Sequence, residues 1–269
     1  MGFQMLYAKI RYVPALLLAL AGLQPALAQS NTTFTTASAG NWTAFVAPNS
    51  IAAGFGVNLA TSTTTASGLP LATTLGNATV SVTDSKGVKL PASLYMVSSG
   101  QINYLIPGAA ALGKAVITVS ANGAAYTGTT EISNVSPAIF TANNSGTGVA
   151  AAQFLTVTPA GQATVTNTAQ AGVLTYVPSP VSLTPSTNSV YLILYGTGFR
   201  NRSANPVKVS INGVLVPVLY AGAQATLPGL DQINLGPLPQ TLAGTGKTSL
   251  NVVVTVDGVP ANTTTIAIQ

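Results

Sequence analysis

Gly100-Gln101-Ile102-Asn103-Tyr104-Leu105-Ile106-Pro107 and Asp231-Gln232-Ile233-Asn234-Leu235-Gly236-Pro237 use the same words twice. In both, Gln-Ile-Asn is followed a few residues later by Pro, and Gln101 lies 131 residues before Gln232. A repeat at that distance points to two related units rather than to one domain with an ornament. Within each copy the expectation is that the apolar Ile102 and Ile233 point into a core. The amides of Gln101, Asn103, Gln232 and Asn234 then hydrogen-bond loop backbone that a sandwich edge leaves unpaired. The competing expectation is that both amides face outward as a ligand-reading pair, for a glycan for example, because an amide both donates and accepts. The first is favoured: both halves keep the motif, whereas binding residues usually sit on variable loops.

Outward from the motif, short apolar-polar runs alternate with turn signals. Val80 and Val82 alternate with Thr79, Ser81 and Thr83, and Asp84-Ser85-Lys86-Gly87 makes a turn. Asn122-Gly123, Asn212-Gly213 and Asp257-Gly258 each join two β-prone runs, and these pairs tolerate the positive φ of a tight hairpin turn. Val190-Tyr191-Leu192-Ile193-Leu194-Tyr195 is a near-continuous apolar run, which predicts a central strand buried on both faces. Each half presents the same order: a Gly-containing strand end (Gly54-Phe55-Gly56, Gly196-Thr197-Gly198), a hairpin, a Leu-Tyr strand (Leu94-Tyr95, Leu219-Tyr220), Gln-Ile-Asn, and a second hairpin. Short strands at intervals of about ten residues indicate sandwiches. The expected fold is all-β, two tandem immunoglobulin-like β-sandwiches, at residues 48–140 and 190–269. Residues 141–189, crowded with Pro178, Pro180 and Pro185, are expected to form a connector with some β content. Residues 29–47 are expected to be a lead-in that adds an edge strand.

Composition narrows the chemistry. Of 269 residues, 5% are charged and 47% hydrophobic, against roughly 25% charged in an ordinary soluble domain. Disorder driven by charge is excluded, and abundant Thr and Val suit pleated surfaces. Lys9 and Arg11, the apolar run 13–23 and Pro25-Ala26-Leu27-Ala28 form the three regions of a secretory signal peptide, residues 1–28, cleaved after Ala28. The apolar run is shorter than the ~20 residues of a spanning helix, so no membrane span is expected. Apart from Arg200 and Arg202, the remaining basic residues are scattered, with no basic stripe, which argues against nucleic acid. The chain has no cysteine and no histidine, so thiolate chemistry and Ser-His-Asp or Cys-His arrangements are excluded. Its carboxylates are Asp84, Glu131, Asp231 and Asp257. They form neither a calcium-binding string nor a sequence-adjacent acid/base pair, and Asp84 and Asp257 are explained by turns. No catalytic residue, metal site or cofactor is expected. The glycine pairs open no helix and are no nucleotide fingerprint.

Pro48-Asn49-Ser50-Ile51, Gly56-Val57-Asn58-Leu59-Ala60, Gly100 to Pro107, Pro137-Ala138-Ile139-Phe140-Thr141, Leu194-Tyr195-Gly196-Thr197-Gly198, Tyr220-Ala221-Gly222 and Leu230 to Asn234 together resemble an uncharacterised C-terminal domain family of secreted, Solibacter-type proteins. The resemblance covers about residues 45 to 269. Each half is also similar to IPT/TIG-type immunoglobulin-like sandwiches, as Tyr195-Gly196-Thr197-Gly198-Phe199 indicates. The resemblance implies secretion or a cell-surface setting, usually at the end of a larger protein, and no assigned activity. The expected role is a secreted structural or adhesive module with no catalytic activity, binding an extracellular protein or polysaccharide. The alternatives are a subunit of a self-assembling fibre, built by donation of the 29–47 strand to another copy, and a glycan-binding module.

Overall fold

The computed structural model describes residues 33–243 and 249–269. The leader read at 1–28 lies outside the described residues, as do the first residues of the 29–47 lead-in. The fold is all-β, and its strands form two sandwiches.

In the first sandwich, one sheet runs Thr35–Ser38, Ile51–Phe55, Gln101–Leu105, Leu94–Val97, Thr64–Thr65. The facing sheet runs Phe45–Val46, Ala124–Ile132, Gly113–Ala121, Ala78–Thr83, Thr74–Leu75, with Lys89–Ala92 also on Ala78–Thr83. The expected alternation holds: Val80 and Val82 join Ile117, Val119, Ile102 and Tyr104 in one buried cluster. Asn122-Gly123 takes positive φ at both residues, and Ala121 pairs with Ala124 across it. The same chemistry closes Asn212-Gly213 and Asp257-Gly258. The lead-in contributes more than an edge. Thr35–Ser38 pairs antiparallel with Ile51–Phe55, and Phe34 N donates to Thr127 O of the opposite sheet. The Phe34 ring occupies the space where a Gly54 Cβ would stand, 1.9 Å from Cζ, so Gly54 is glycine to admit it. Gly128 makes the same allowance for the Phe34 backbone. The segment expected to be donable therefore fills its own sandwich.

In the second sandwich, one sheet runs Ala163–Asn167, Ala152–Val157, Ser189–Thr197, Asp231–Leu235, Val218–Ala223, with Ala138–Ile139 also on Ser189–Thr197. The other contains Val214–Leu215, Lys208–Ile211, Leu250–Val256 and, both paired with Leu250–Val256, Val259–Pro260 and Thr264–Ile266. The first of these two sheets takes in Ala152–Val157 and Ala163–Asn167 from the stretch read as a connector. Ala169–Ala171 and Tyr176–Pro178 form a separate small hairpin.

The run at 190–195 is buried on both faces, for a reason beyond its own sandwich. Val190, Leu192 and Leu194 enter the second core. Ile193 and Tyr195 point the other way, into a third cluster with Ile51 and Ala53 of the first sandwich and with Phe140, Ala151, Leu155 and Leu230. The outer faces of the two sheets thus meet in an apolar seam. Fully burying an Ile or Leu side chain contributes about 1.5–3 kcal/mol, so Ile51, Leu155, Ile193 and Leu230 together outweigh any one polar contact across it. Gly196 and Gly198 belong to this joint. A Cβ on Gly196 would lie 2.2 Å from Ala138 O, and one on Gly198 would lie 2.1 Å from Ser136 O, where the chain crosses from one sandwich to the other.

Candidate functional site

The two Gln-Ile-Asn strands occupy equivalent places. Gly54 pairs with Ile102 and Leu194 with Ile233, each on the strand that carries the seam. On the other side each motif strand meets a strand with a register shift opposite its Asn: Leu94/Met96 against Tyr104 and Asn103, Val218/Tyr220 against Leu235 and Asn234. The equivalence differs in detail from the one read in sequence. Leu94-Tyr95 matches Val218-Leu219, one residue earlier than Leu219-Tyr220, and Gly54-Phe55-Gly56 matches Leu194-Tyr195-Gly196. The bulged residue is Tyr95 in one half and Leu219 in the other, and a bulge inserts a residue without changing the pairing that follows.

Strand alternation sends Ile102 and Tyr104 into the first core and Ile233 and Leu235 into the second, as expected for the isoleucines. Gln101 and Asn103, and Gln232 and Asn234, therefore face the seam side. In both copies the two amides hydrogen-bond each other. Gln101 Nε2 donates to Asn103 Oδ1 at 2.8 Å, and Gln232 Nε2 donates to Asn234 Oδ1 at 2.6 Å. The loop before the first motif is held by main chain and Ser98: Gln101 N donates to Ser98 Oγ at 3.0 Å. Each Gln stands across from an aromatic, Phe55 for Gln101 and Tyr195 for Gln232, and each Asn across from an aliphatic residue, Ala53 for Asn103 and Ile193 for Asn234. Phe55 packs with Trp42 at 5.9 Å between ring centroids, both half-buried at the margin of the seam. Burial pushes the Tyr195 hydroxyl up to about 12, and it donates to Gln153 Oε1 at 2.9 Å.

Polar contacts lock the seam. Ile51 N donates to Thr197 Oγ1 at 2.8 Å, and that hydroxyl donates to Gly229 O at 2.8 Å. Tyr95 Oη donates to Pro228 O, and Asn201 Nδ2 donates to Pro48 O at 2.8 Å. Gly229, at φ +76°, sits where a Cβ would strike Leu105 and Ile51. Asp231, the residue before the second motif, holds this loop in place. Its carboxylate accepts from Phe199 N at 2.8 Å, Arg200 N at 3.2 Å and Arg200 Nε at 2.6 Å, while Arg200 Nη2 donates to Leu230 O at 2.8 Å. Burial pushes the Asp231 carboxyl up, and the Arg200 guanidinium opposes that shift. Sequence reasoning left Asp231 among four scattered carboxylates and set Arg200 beside Arg202 without a partner. The one signal was an acid placed directly before a strand otherwise free of charge.

The other carboxylates serve turns. Asp84 accepts from Lys86 N, Val88 N and Ala111 N at 2.9–3.0 Å and is held below the usual range, chiefly by Ala111 N–H. Asp257 accepts from Ser203 Oγ at 2.6 Å and Ser203 N at 2.7 Å, which lower it too. Among the described residues no three His, Cys, Asp or Glu side chains come together as a metal site, and no helix is long and apolar enough to cross a membrane.

No family model matches the chain, and no curated protein does. Among solved structures, the chain is similar to the Bacteroides ovatus mixed-linkage glucan utilization locus protein SGBP-B in complex with mixed-linkage heptasaccharide. That match has 14% identity, covers 84% of this chain and 44% of that one, and has a TM-score of 0.33. The Plexin A4 extracellular region matches at 10% identity over 91% of this chain and 19% of that one, with a TM-score of 0.24. The chain thus spans less than half the length of either, and likenesses this distant carry no argument about function.

Proposed function

We propose that the chain is a non-catalytic extracellular or cell-surface module, structural or adhesive in role, whose two sandwiches act as one unit that binds an extracellular protein or polysaccharide. The observation that carries this reading is the seam: an apolar cluster between the sandwiches, bordered by paired amides and latched by Thr197, Gly229 and Asp231. Such a joint suits a part that transmits load or holds a fixed spacing better than one that opens around a substrate. Support for the absence of catalysis is chemical: the sequence has no histidine or cysteine, and Asp84, Asp231 and Asp257 are engaged by backbone N–H groups. A second reading, glycan binding, is favoured by one observation. The half-buried Trp42–Phe55 pair stands beside Gln101, an aromatic platform next to an amide, which suits a sugar face and its hydroxyls. The test is to probe the full chain against immobilised polysaccharides and matrix proteins and against chromogenic glycosides, esters and peptides. Retention on a polymer without turnover is expected. Turnover that is lost on substituting a carboxylate refutes the proposal. Retention on a polysaccharide that Trp42→Ala abolishes at unchanged melting temperature selects the glycan version.

A further inference from the structure

A sheet edge exposes unpaired N–H and C=O groups, and proteins usually blunt such edges with shortness, bulges, proline, charge or cover. Most edges of the described residues carry one of these devices. Phe45–Val46, Thr64–Thr65, Thr74–Leu75 and Val214–Leu215 are two residues long. Lys89–Ala92 carries Lys89 and Pro91, and Val259–Pro260 ends in proline. Val218–Ala223 is bulged, and Thr35–Ser38 is mostly buried. Ala163–Asn167 has none of them. It is five residues long, regularly paired to Ala152–Val157 on one side, and exposed at every position. It is also held rigid: Thr168 Oγ1, at its end, donates to Ala150 O at 2.6 Å, and Gln153 Nε2 donates to Asn167 Oδ1 at 3.3 Å.

We propose that Ala163–Asn167 pairs antiparallel with the same strand of a second copy of this chain, Val165 opposite Val165, joining two sheets across a two-fold axis. Three observations select a second copy over another partner. The first is charge. No charged residue occurs between Glu131 and Arg200, in a chain with formal net charge +5. Two like-charged copies can meet at this edge without repulsion, while an acidic partner would find no cation there. The second is self-complementarity. Thr164-Val165-Thr166 reads symmetrically about Val165, so antiparallel self-pairing sets Thr164 against Thr166 and Val165 against Val165, pairs that favour a sheet, with Ala163 opposite Asn167 at either end. The third is continuity with the seam. Tyr191, Leu155 and Val165 are cross-strand partners in one row on the seam side, and the row ends at the free edge with Val165 43% exposed. A second copy carries that row onward through its own Val165 and Leu155. The contact is isologous, so it closes at a dimer.

The partner named here is additional to the module reading and does not depend on any ligand. Because the chain has no cysteine, Val165→Cys gives a clean probe. Across the proposed axis the two Cα atoms stand about 4.5–5.5 Å apart, within disulfide reach. Ala163→Cys is the register control, since its own counterpart lies four residues away along the strand, roughly 13 Å. The expected result is a wild-type dimer by sedimentation, rapid oxidation of Val165→Cys to a covalent dimer, and slow oxidation of Ala163→Cys. Val165→Lys sets like charges opposite each other and weakens dimerisation by about 5-fold or more at unchanged monomer melting. A wild-type monomer up to about 1 mM overturns the proposal. Equal cross-linking of the two cysteine variants, or growth beyond dimers, overturns it too. None of these results bears on retention of the chain by an extracellular polymer.

Discussion

Asp231→Asn isolates the buried ion pair that latches the seam, and its cost can be worked from the contacts. The carboxylate is fully buried and serves two backbone N–H groups and Arg200 Nε, while the Arg200 side chain is 17% exposed. An asparagine oxygen can still accept from Phe199 N and Arg200 N. Its amide nitrogen then faces Arg200 Nε, donor against donor, and the guanidinium loses its counter-charge. Breaking a buried pair on one side costs about 3–5 kcal/mol, and partial exposure of Arg200 places this case near 3 kcal/mol. For a chain of this size that lowers the melting temperature by roughly 6–12 °C. Arg200→Met probes the other side. Asp231, already pushed up by burial, then loses the cation that opposed the shift. A raised folded-state value means that stability is fully present below the unfolded range near 4 and is lost as pH rises through the folded value. The Arg200→Met penalty must therefore grow as pH rises above about 4. The double variant should cost about 2 kcal/mol less than the sum of the singles, measured by urea unfolding followed by circular dichroism. Additivity within about 0.5 kcal/mol, or a penalty for Arg200→Met that does not vary with pH, refutes the latch.

Gly54→Ala drives a methyl to 1.9 Å from Phe34 Cζ and should cost about 1–3 kcal/mol; adding Phe34→Leu should recover part of that loss, and an unrelieved double variant would remove the ring from the explanation. Asp84 and Asp257 are held below their usual range, so their stability is present above about pH 4 and lost as pH falls through their folded values; Asp84→Asn should flatten the acid limb of melting temperature against pH.

What was legible in the sequence followed local stereochemistry. Asn122-Gly123, Asn212-Gly213 and Asp257-Gly258 announced their turns because only such residues sit comfortably at positive φ. Val190 to Tyr195 announced burial on both faces because no polar residue interrupts it. Ile102 and Ile233 were legible as core. What was hidden depends on groups far apart in sequence. Arg200 and Asp231 are 31 residues apart, and Ile51 N reaches Thr197 across 146. The place of Ala152–Val157 within the second sandwich was hidden for the same reason, since its alternation is weak and its partner strand begins only at Ser189. The off-by-one match of the Leu-Tyr strands came from aligning the dipeptides by identity, whereas strand register sets Leu94 with Val218 and Tyr95 with Leu219.

The amide pair beside each isoleucine follows from the kind of surface it occupies. The seam-side face of Gln101–Leu105 and Asp231–Leu235 is neither interior nor open water: Asn103 is buried while Asn234 is half-buried. A charge there would be desolvated, and an all-apolar row would leave each sandwich sticky before it met the other. Two amides two residues apart on one strand face can satisfy one another without help from the partner sandwich, giving a polar border that costs little buried or exposed. The same logic runs through the uncharged stretch from Ser189–Thr197 back to Ala163–Asn167. Where the partner sandwich covers the face, the row is Ile193 and Tyr195; where none of the described residues covers it, the row ends at Val165 between two threonines. One motif thus marks a surface already met by the chain's own second sandwich, and the exposed edge three strands away in the same sheet has the character of a surface built to be met by another.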